Sequence, residues 1–206
     1  MEKVALFFRD GGIFMYFILA VSAVGIAIMA ERWYLLTHRY NVDGRALWKK
    51  ILKFLQEGNV EQAKALCKDT RVPLMRILHD GLAMSSKGSE HDMQIAIDEA
   101  ALEIIPTIDK RVPYLATLAN VATLLGLLGT IQGLIQAFAA ISVADPAQKA
   151  SLLANGIAIA MYTTAFGLMV AIPMLIVYTL LQAKAQKIID EIDEFSVKLI
   201  NHLKKA

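Results

Sequence analysis

The chain has 206 residues, 56% of them hydrophobic and only 19% charged, with 21 basic against 19 acidic side chains for a formal net charge of +2. Soluble domains carry about 25% charged residues, so this composition argues against one, and the near balance of charge argues against a nucleic-acid partner. A single cysteine, Cys67, excludes an intrachain disulfide, and the histidines (His38, His79, His91, His202) lack metal-ligand spacing.

Residues 1–10 read as a periplasmic or interfacial segment in which Val4, Leu6, Phe7 and Phe8 can lie in lipid. Between Asp10 and Glu31 no charge occurs for about 20 residues, enough to cross ~30 Å of hydrocarbon as a helix. The run is longer than a signal-peptide core and has no small-residue cleavage site. It closes on Glu31-Arg32-Trp33-Tyr34, an interfacial anchor, and is read as a retained first span, 11–33.

Residues 34–111 read as water-exposed helices. Trp48, Ile51, Leu52 and Leu55 recur at helical spacing among Lys49, Lys50 and Lys53. Gly58-Asn59 then marks a turn, and Val60, Ala63, Ala65, Leu66 and Cys67 begin a second amphipathic helix. Pro73 can open a third, carrying Leu74, Ile77 and Leu78, and 85–89 is a polar loop. From about Glu90 a long helix bearing Ile97, Ala101, Ile104 and Ile108 is expected to run on into the second span, kinked at Pro106 and Pro113.

Two longer charge-free stretches follow, 112–144 and 150–183. The polar turn 145–149 separates them, and Pro146 stops the helix before it. Each can span a bilayer with a turn or more to spare, so together they make an antiparallel hairpin. The tail, 184–206, continues helically. Its stripe of Ile188, Ile192, Phe195, Leu199 and Leu203 is expected to pack on the cytoplasmic bundle, beside a solvated acidic block of Asp190, Glu191, Asp193 and Glu194.

Segment 31–111 holds 13 of the 21 basic residues and the part after Ala183 five more. The amino end has only Lys3 and Arg9, and the hairpin turn only Lys149. The positive-inside rule then places the amino terminus and the turn outside, and the long loop and the tail inside. The expected fold class is an all-α membrane protein with three transmembrane helices, N-out and C-in. Its long second and third helices extend into a cytoplasmic helical bundle.

Neither 112–144 nor 150–183 contains Asp, Glu, Lys, Arg or His, whereas an ion pump or proton relay needs an ionisable group inside the membrane. The chain is therefore either uncoupled to ions or takes its protonatable residue from another subunit. Along the second span Asn120, Thr123, Gly126, Thr130, Gly133 and Ala137 recur at steps of three and four, with Gly129 and Gly133 spaced as small-xxx-small. Gly156, Ala160, Thr164, Gly167 and Ala171 do the same on the third span, with Thr163 beside them. The glycines and alanines are read as close helix packing, in which threonine hydroxyls can also bond a carbonyl one turn back. Gln132 and Gln136 either bridge helices near the outer surface or touch an ion. No phosphate loop, nucleophile triad or acid–base pair is present, so neither an enzyme nor a cofactor is expected.

The core Gly126-Leu-Leu-Gly-Thr130, followed by Gly133, resembles the second-span signature of the ExbB/TolQ/MotA family. Gly156-Ile-Ala-Ile-Ala-Met-Tyr-Thr-Thr-Ala-Phe-Gly-Leu168, with Ala171-Ile-Pro173, resembles its third-span signature. Three spans and a short chain place it nearer ExbB and TolQ than the flagellar branch. The resemblance implies a homopentameric ring in a bacterial inner membrane, its second and third spans lining a central pore. It implies a partner of the ExbD/TolR kind, a single-span protein usually present in two copies in the pore, whose membrane helix carries the aspartate lacking here. It also implies that Thr130 and Thr164 line the ion pathway, with Thr163, Thr123 and Asn120 as further candidates. Proton flow would then drive rotation and transmit force toward the outer membrane, for import through gated receptors or for gliding. Two departures stand out: Ile159 occupies a position where ExbB commonly has glutamate, and Thr123 one where many relatives have proline. The rival reading is a scaffold or passive channel that needs no partner.

Overall fold

A computed structural model describes residues 11–40, 42–69, 71–85 and 90–204; the segment 1–10 and most of the loop 85–89 lie outside the described residues. Among the described residues every regular element is helical. In chain order these are α1 (Ile13–Tyr34), a π-helical turn (Leu35–Arg39), α2 (Gly44–Gln56), α3 (Val60–Leu66), α4 (Pro73–Ser85), α5 (Glu90–Ile108), α6 (Val112–Val143) and α7 (Pro146–Leu203). Three stretches are long and apolar enough to cross a membrane, within Ile13–Gln56, His91–Val143 and Pro146–Leu203.

The chain folds as two units. One comprises Met1–Ala30 (described from residue 11) and Arg111–Thr179, and the other Glu31–Lys110 and Leu180–Ala206.

In the first unit the buried side chains are mostly small and the exposed ones large. Gly126, Gly129, Gly133 and Ala137 of α6 and Ala160 and Ala171 of α7 are buried. Leu124 (63% exposed), Phe138 (63%) and Met169 (65%) point away from the interior. In water this would invert the usual sorting. In lipid, helices gain nothing by hiding large apolar groups and associate instead through close backbone contact at small residues. Packing in the unit thus matches the solvent that its composition demands.

The second unit sorts as a water-soluble bundle does. Asp43 caps α2 through its carboxylate, which accepts from the backbone N–H groups of Arg45 and Ala46, and Asn59 caps α3 from Gln62. Ile51, Ala63, Ile77, Leu78 and Leu82 are fully buried, as are Ile192, Phe195 and Leu199 from the α7 tail. The ring of Phe195 lies 6.0 Å from that of Trp48. At Gly44 a Cβ would meet the Phe195 ring at 2.5 Å, and at Gly81 it would meet Ile97 at 2.8 Å, so glycines admit the large side chains opposite. Leu203, the last of the expected tail stripe, is only half-buried.

Three local differences from the sequence expectations have physical causes. Helix α5 does not run into α6: the course breaks at Asp109–Arg111, where Arg111 takes a left-handed φ of 67°. Pro113 has no N–H and its ring would collide with the Asp109 carbonyl in a continuous helix, so the break lies just before it. On α5 the buried residue is Ala100 rather than Ala101, in line with Met93, Ile97, Ile104 and Ile108. Pro146 is the first residue of α7, where a missing N–H costs no hydrogen bond, so only Ala144 and Asp145 connect α6 to α7.

Arg32 ends the apolar part of α1 and is 4% exposed. Its Nη1 donates to the Thr107 carbonyl and its Nη2 to Glu31, both at 3.4 Å. Thr107 O is one of the last four carbonyls of α5, which lack partners inside the helix, so the guanidinium caps that end and complements its dipole.

Cys67 is fully buried, and desolvation raises its thiol from the ordinary 9.0 to about 11. At pH 7 the thiolate is then about a hundredfold scarcer than for an exposed cysteine. Maleimide labelling of the folded protein should accordingly be negligible and should become fast on denaturation. Fast labelling of the folded protein would contradict this burial.

Candidate functional site

The candidate site is the seam between α6 and α7, and glycines set its depth. A Cβ at Gly126 would lie 3.2 Å from both the Thr163 carbonyl and the Thr164 Cα, and 3.4 Å from the Gly167 Cα. At Gly167 it would lie 2.7 Å from the Ala122 carbonyl oxygen and 3.2 Å from the Gly126 Cα. At Gly133 it would meet Ala160 backbone at 3.1 Å, at Gly156 it would collide with the Ala137 methyl, and at Gly129 with the Thr163 side chain. Five glycines and Ala160 therefore form one continuous contact, backbone against backbone at Gly126 and Gly167 and against the small side chains of Thr163, Ala160 and Ala137 at the others. Ala171, 2% exposed, lies on the same row of α7.

This approach lets Thr164 reach across the seam, where its Oγ1 donates to the Gly126 carbonyl at 3.0 Å. Thr130 and Thr123 bond within α6, Thr130 to the Leu127 carbonyl at 2.5 Å and Thr123 to that of Ala119 at 3.1 Å. Thr123 and Asn120 are exposed, while Thr130 and Thr164 are half-buried. A threonine whose single proton is committed to a carbonyl still presents oxygen lone pairs, so it can accept from a carboxylic acid or a hydrated proton. It cannot itself carry the proton.

Thr163 differs from its sequence neighbour. Its side chain is fully buried, lies against Gly129, and has Oγ1 3.0 Å from both the Gly11 and the Ile159 carbonyls. Residue 163 is thus turned into the chain's own interior, while Thr164 beside it in sequence is half-buried. Successive helix positions differ by 100°, which is enough to separate the two.

Two residues of this unit were missed in the sequence. Gly25 of α1 receives the Met174 side chain of α7, and Gly11 supplies the carbonyl that Thr163 bonds. A glycine inside an apolar span is a signal for close packing and could have flagged Gly25. Nothing local marks Gly11.

The model of the MotA/TolQ/ExbB proton channel family matches residues 69–194, more than half of the chain. Among curated relatives, the Tol-Pal system protein TolQ of Haemophilus influenzae is 38% identical over 117 residues, covering 55% of this chain and 49% of that protein. The biopolymer transport protein exbB1 of Vibrio cholerae serotype O1 is 27% identical over 178 residues, covering 84% and 76%. An ExbB homolog of Methanothermobacter thermautotrophicus is 26% identical over 187 residues, which is 90% of this chain and 65% of that protein. Of the TolQ and the Methanothermobacter relatives, the match thus spans about half and about two thirds of their length.

Proposed function

We infer the function from one premise: the chain belongs to the MotA/TolQ/ExbB proton channel family. On this reading it is the multi-helix subunit of an ion-driven motor in a bacterial inner membrane. Five copies form a ring, N-out and C-in, with α6 and α7 around a central pore. Two copies of a single-span partner of the ExbD/TolR kind stand in that pore, and each brings one membrane aspartate. Residues 11–33, 112–144 and 150–183 cross the bilayer, the turn 145–149 is periplasmic, and 34–111 with 184–206 are cytoplasmic.

One observation carries this reading. The α6–α7 seam offers hydroxyl oxygens at Thr130 and Thr164, yet no Asp, Glu, Lys, Arg or His occurs in 112–144 or 150–183. Such a surface can guide a proton but cannot hold one, so the holding group comes from elsewhere. Thr130 and Thr164, with Thr123 and Asn120 toward the inner face, solvate the partner's carboxyl as it gains and loses its proton. Ile159 adds no ring carboxylate to the path. The resulting motion transmits force toward the outer membrane.

The test is co-expression with the product of the neighbouring reading frame. The two should co-purify, and proton entry into proteoliposomes should need both and cease when the partner's membrane Asp is changed to Asn. Proton-driven activity by the purified chain alone would eliminate the borrowed-carboxylate mechanism and favour a channel that needs no partner.

A further inference from the structure

Two adjoining hollows in the second unit, of about 490 and 290 Å3, share Arg39 and Arg71 in their walls. Tyr34, His38 and the carboxylate of Asp69 line the first hollow, and Arg76 and Thr107 the second. Three guanidiniums therefore converge on one open groove.

Two of them are engaged. Arg71 bonds Asp69 through Nε at 2.9 Å and Nη2 at 3.4 Å, and Arg76 bonds Glu103 at 2.7 Å. Among the described residues no carboxylate lies within ion-pair distance of Arg39, so the groove keeps an excess positive charge. Tyr34, which lines the groove, is also the last residue of the apolar helix α1. The Tyr34 ring stacks obliquely on His38, 5.7 Å centroid to centroid, and the neighbouring Trp33 ring carries the Lys184 ammonium 4.9 Å from its centroid. Aromatic rings beside cations at the end of an apolar helix are a headgroup-level arrangement.

We propose that Arg39, Arg71 and Arg76 form a binding site for a phosphate group, supplied by an anionic phospholipid headgroup or by a soluble phosphate ester. Guanidinium forks match phosphate oxygens in pairs, and a basic pocket at the end of a membrane helix suits such a headgroup. Arg39 supplies the unmatched charge, and Arg71 and Arg76 close the walls while held by their own carboxylates. The site lies wholly in the second unit and does not depend on the motor reading.

The test uses the full chain extracted from membranes and exchanged into nanodiscs of mixed phosphatidylglycerol and phosphatidylcholine, with retained lipids counted by native mass spectrometry. Wild type should retain phosphatidylglycerol selectively, Arg39→Gln should lower that retention about fivefold, and Arg39→Lys, which keeps the charge but not the fork, should fall between the two. The paired change Lys49→Gln with Lys50→Gln, at exposed positions of α2, should leave retention unchanged. A parallel titration of the detergent-solubilised chain with inorganic phosphate separates the sources. Binding of phosphate with the same Arg39 dependence, without lipid selectivity, supports the site and assigns it to a soluble ligand. The proposal fails if neither probe responds to Arg39→Gln, or if the α2 pair matters as much. It also fails if Arg39→Gln separates copies of the chain while lipid retention stays constant, since a protein carboxylate would then fill the groove.

Discussion

Gly167→Val should prevent α6 and α7 from closing and leave little folded protein in the membrane. The Cβ alone would stand 2.7 Å from the Ala122 carbonyl oxygen and 3.2 Å from the Gly126 Cα. Both neighbours are backbone, so no side chain can rotate out of the way, and valine adds two further methyl groups. Overpacking of this kind costs about 1–3 kcal/mol where side chains can adjust, and at a backbone contact the upper end or beyond is expected. A loss of about 3 kcal/mol lowers the folding equilibrium roughly 150-fold. Ala165→Val, at an exposed position on the same helix, serves as the control and should be neutral. Yield of folded protein by size exclusion, with thermal unfolding of what remains, measures the difference. Equal stability of the two variants would mean that the close approach at Gly167 is dispensable.

The second large effect is on activity. Thr130→Val combined with Thr164→Val should cut proton-driven function at least about tenfold, a barrier increase of about 1.4 kcal/mol, while the assembly survives. The structural consequence is small: Thr130 bonds only within its own helix, and Thr164 gives up one interhelical bond to Gly126. Polar bonds between membrane helices average about 0.6 kcal/mol, too little to disassemble the protein. Proton flux in proteoliposomes containing the partner reports function, and native mass spectrometry reports assembly. Thr163→Val is the discriminating control, because its hydroxyl is buried against Gly11 and Ile159 and should affect stability before flux. Full flux in the Thr130/Thr164 double variant would remove these hydroxyls from the ion path.

The architecture was legible because its strongest signals are compositional. Long intervals without charge dictate helices when the solvent is lipid, since no other single segment satisfies its own backbone there. The tail stripe was legible too, as Ile188, Ile192, Phe195 and Leu199 follow the helical period and all four are buried. The break before α6 was harder to read. Pro106 and Pro113 both signalled disturbance, yet only Pro113 coincides with an interruption, while Pro106 lies inside α5. The groove around Arg39 left no trace in the sequence pattern. Its arginines come from the π-helical turn, the stretch before α4 and α4 itself, and only folding brings them together.

The sequence by itself determined that this chain has three apolar helices, that the second and third carry rows of small and hydroxyl residues, and that their charge-free stretches 112–144 and 150–183 hold no Asp, Glu, Lys, Arg or His. Tertiary structure alone decided which neighbour each row meets. Thr164 reaches the Gly126 carbonyl across the seam while Thr163 turns inward to Gly11, although the two are adjacent and chemically identical. The reason is geometric: periodicity fixes the angle of a side chain about its own helix axis, whereas contact also requires the position of the opposite helix, and that is set by glycines far apart in the chain.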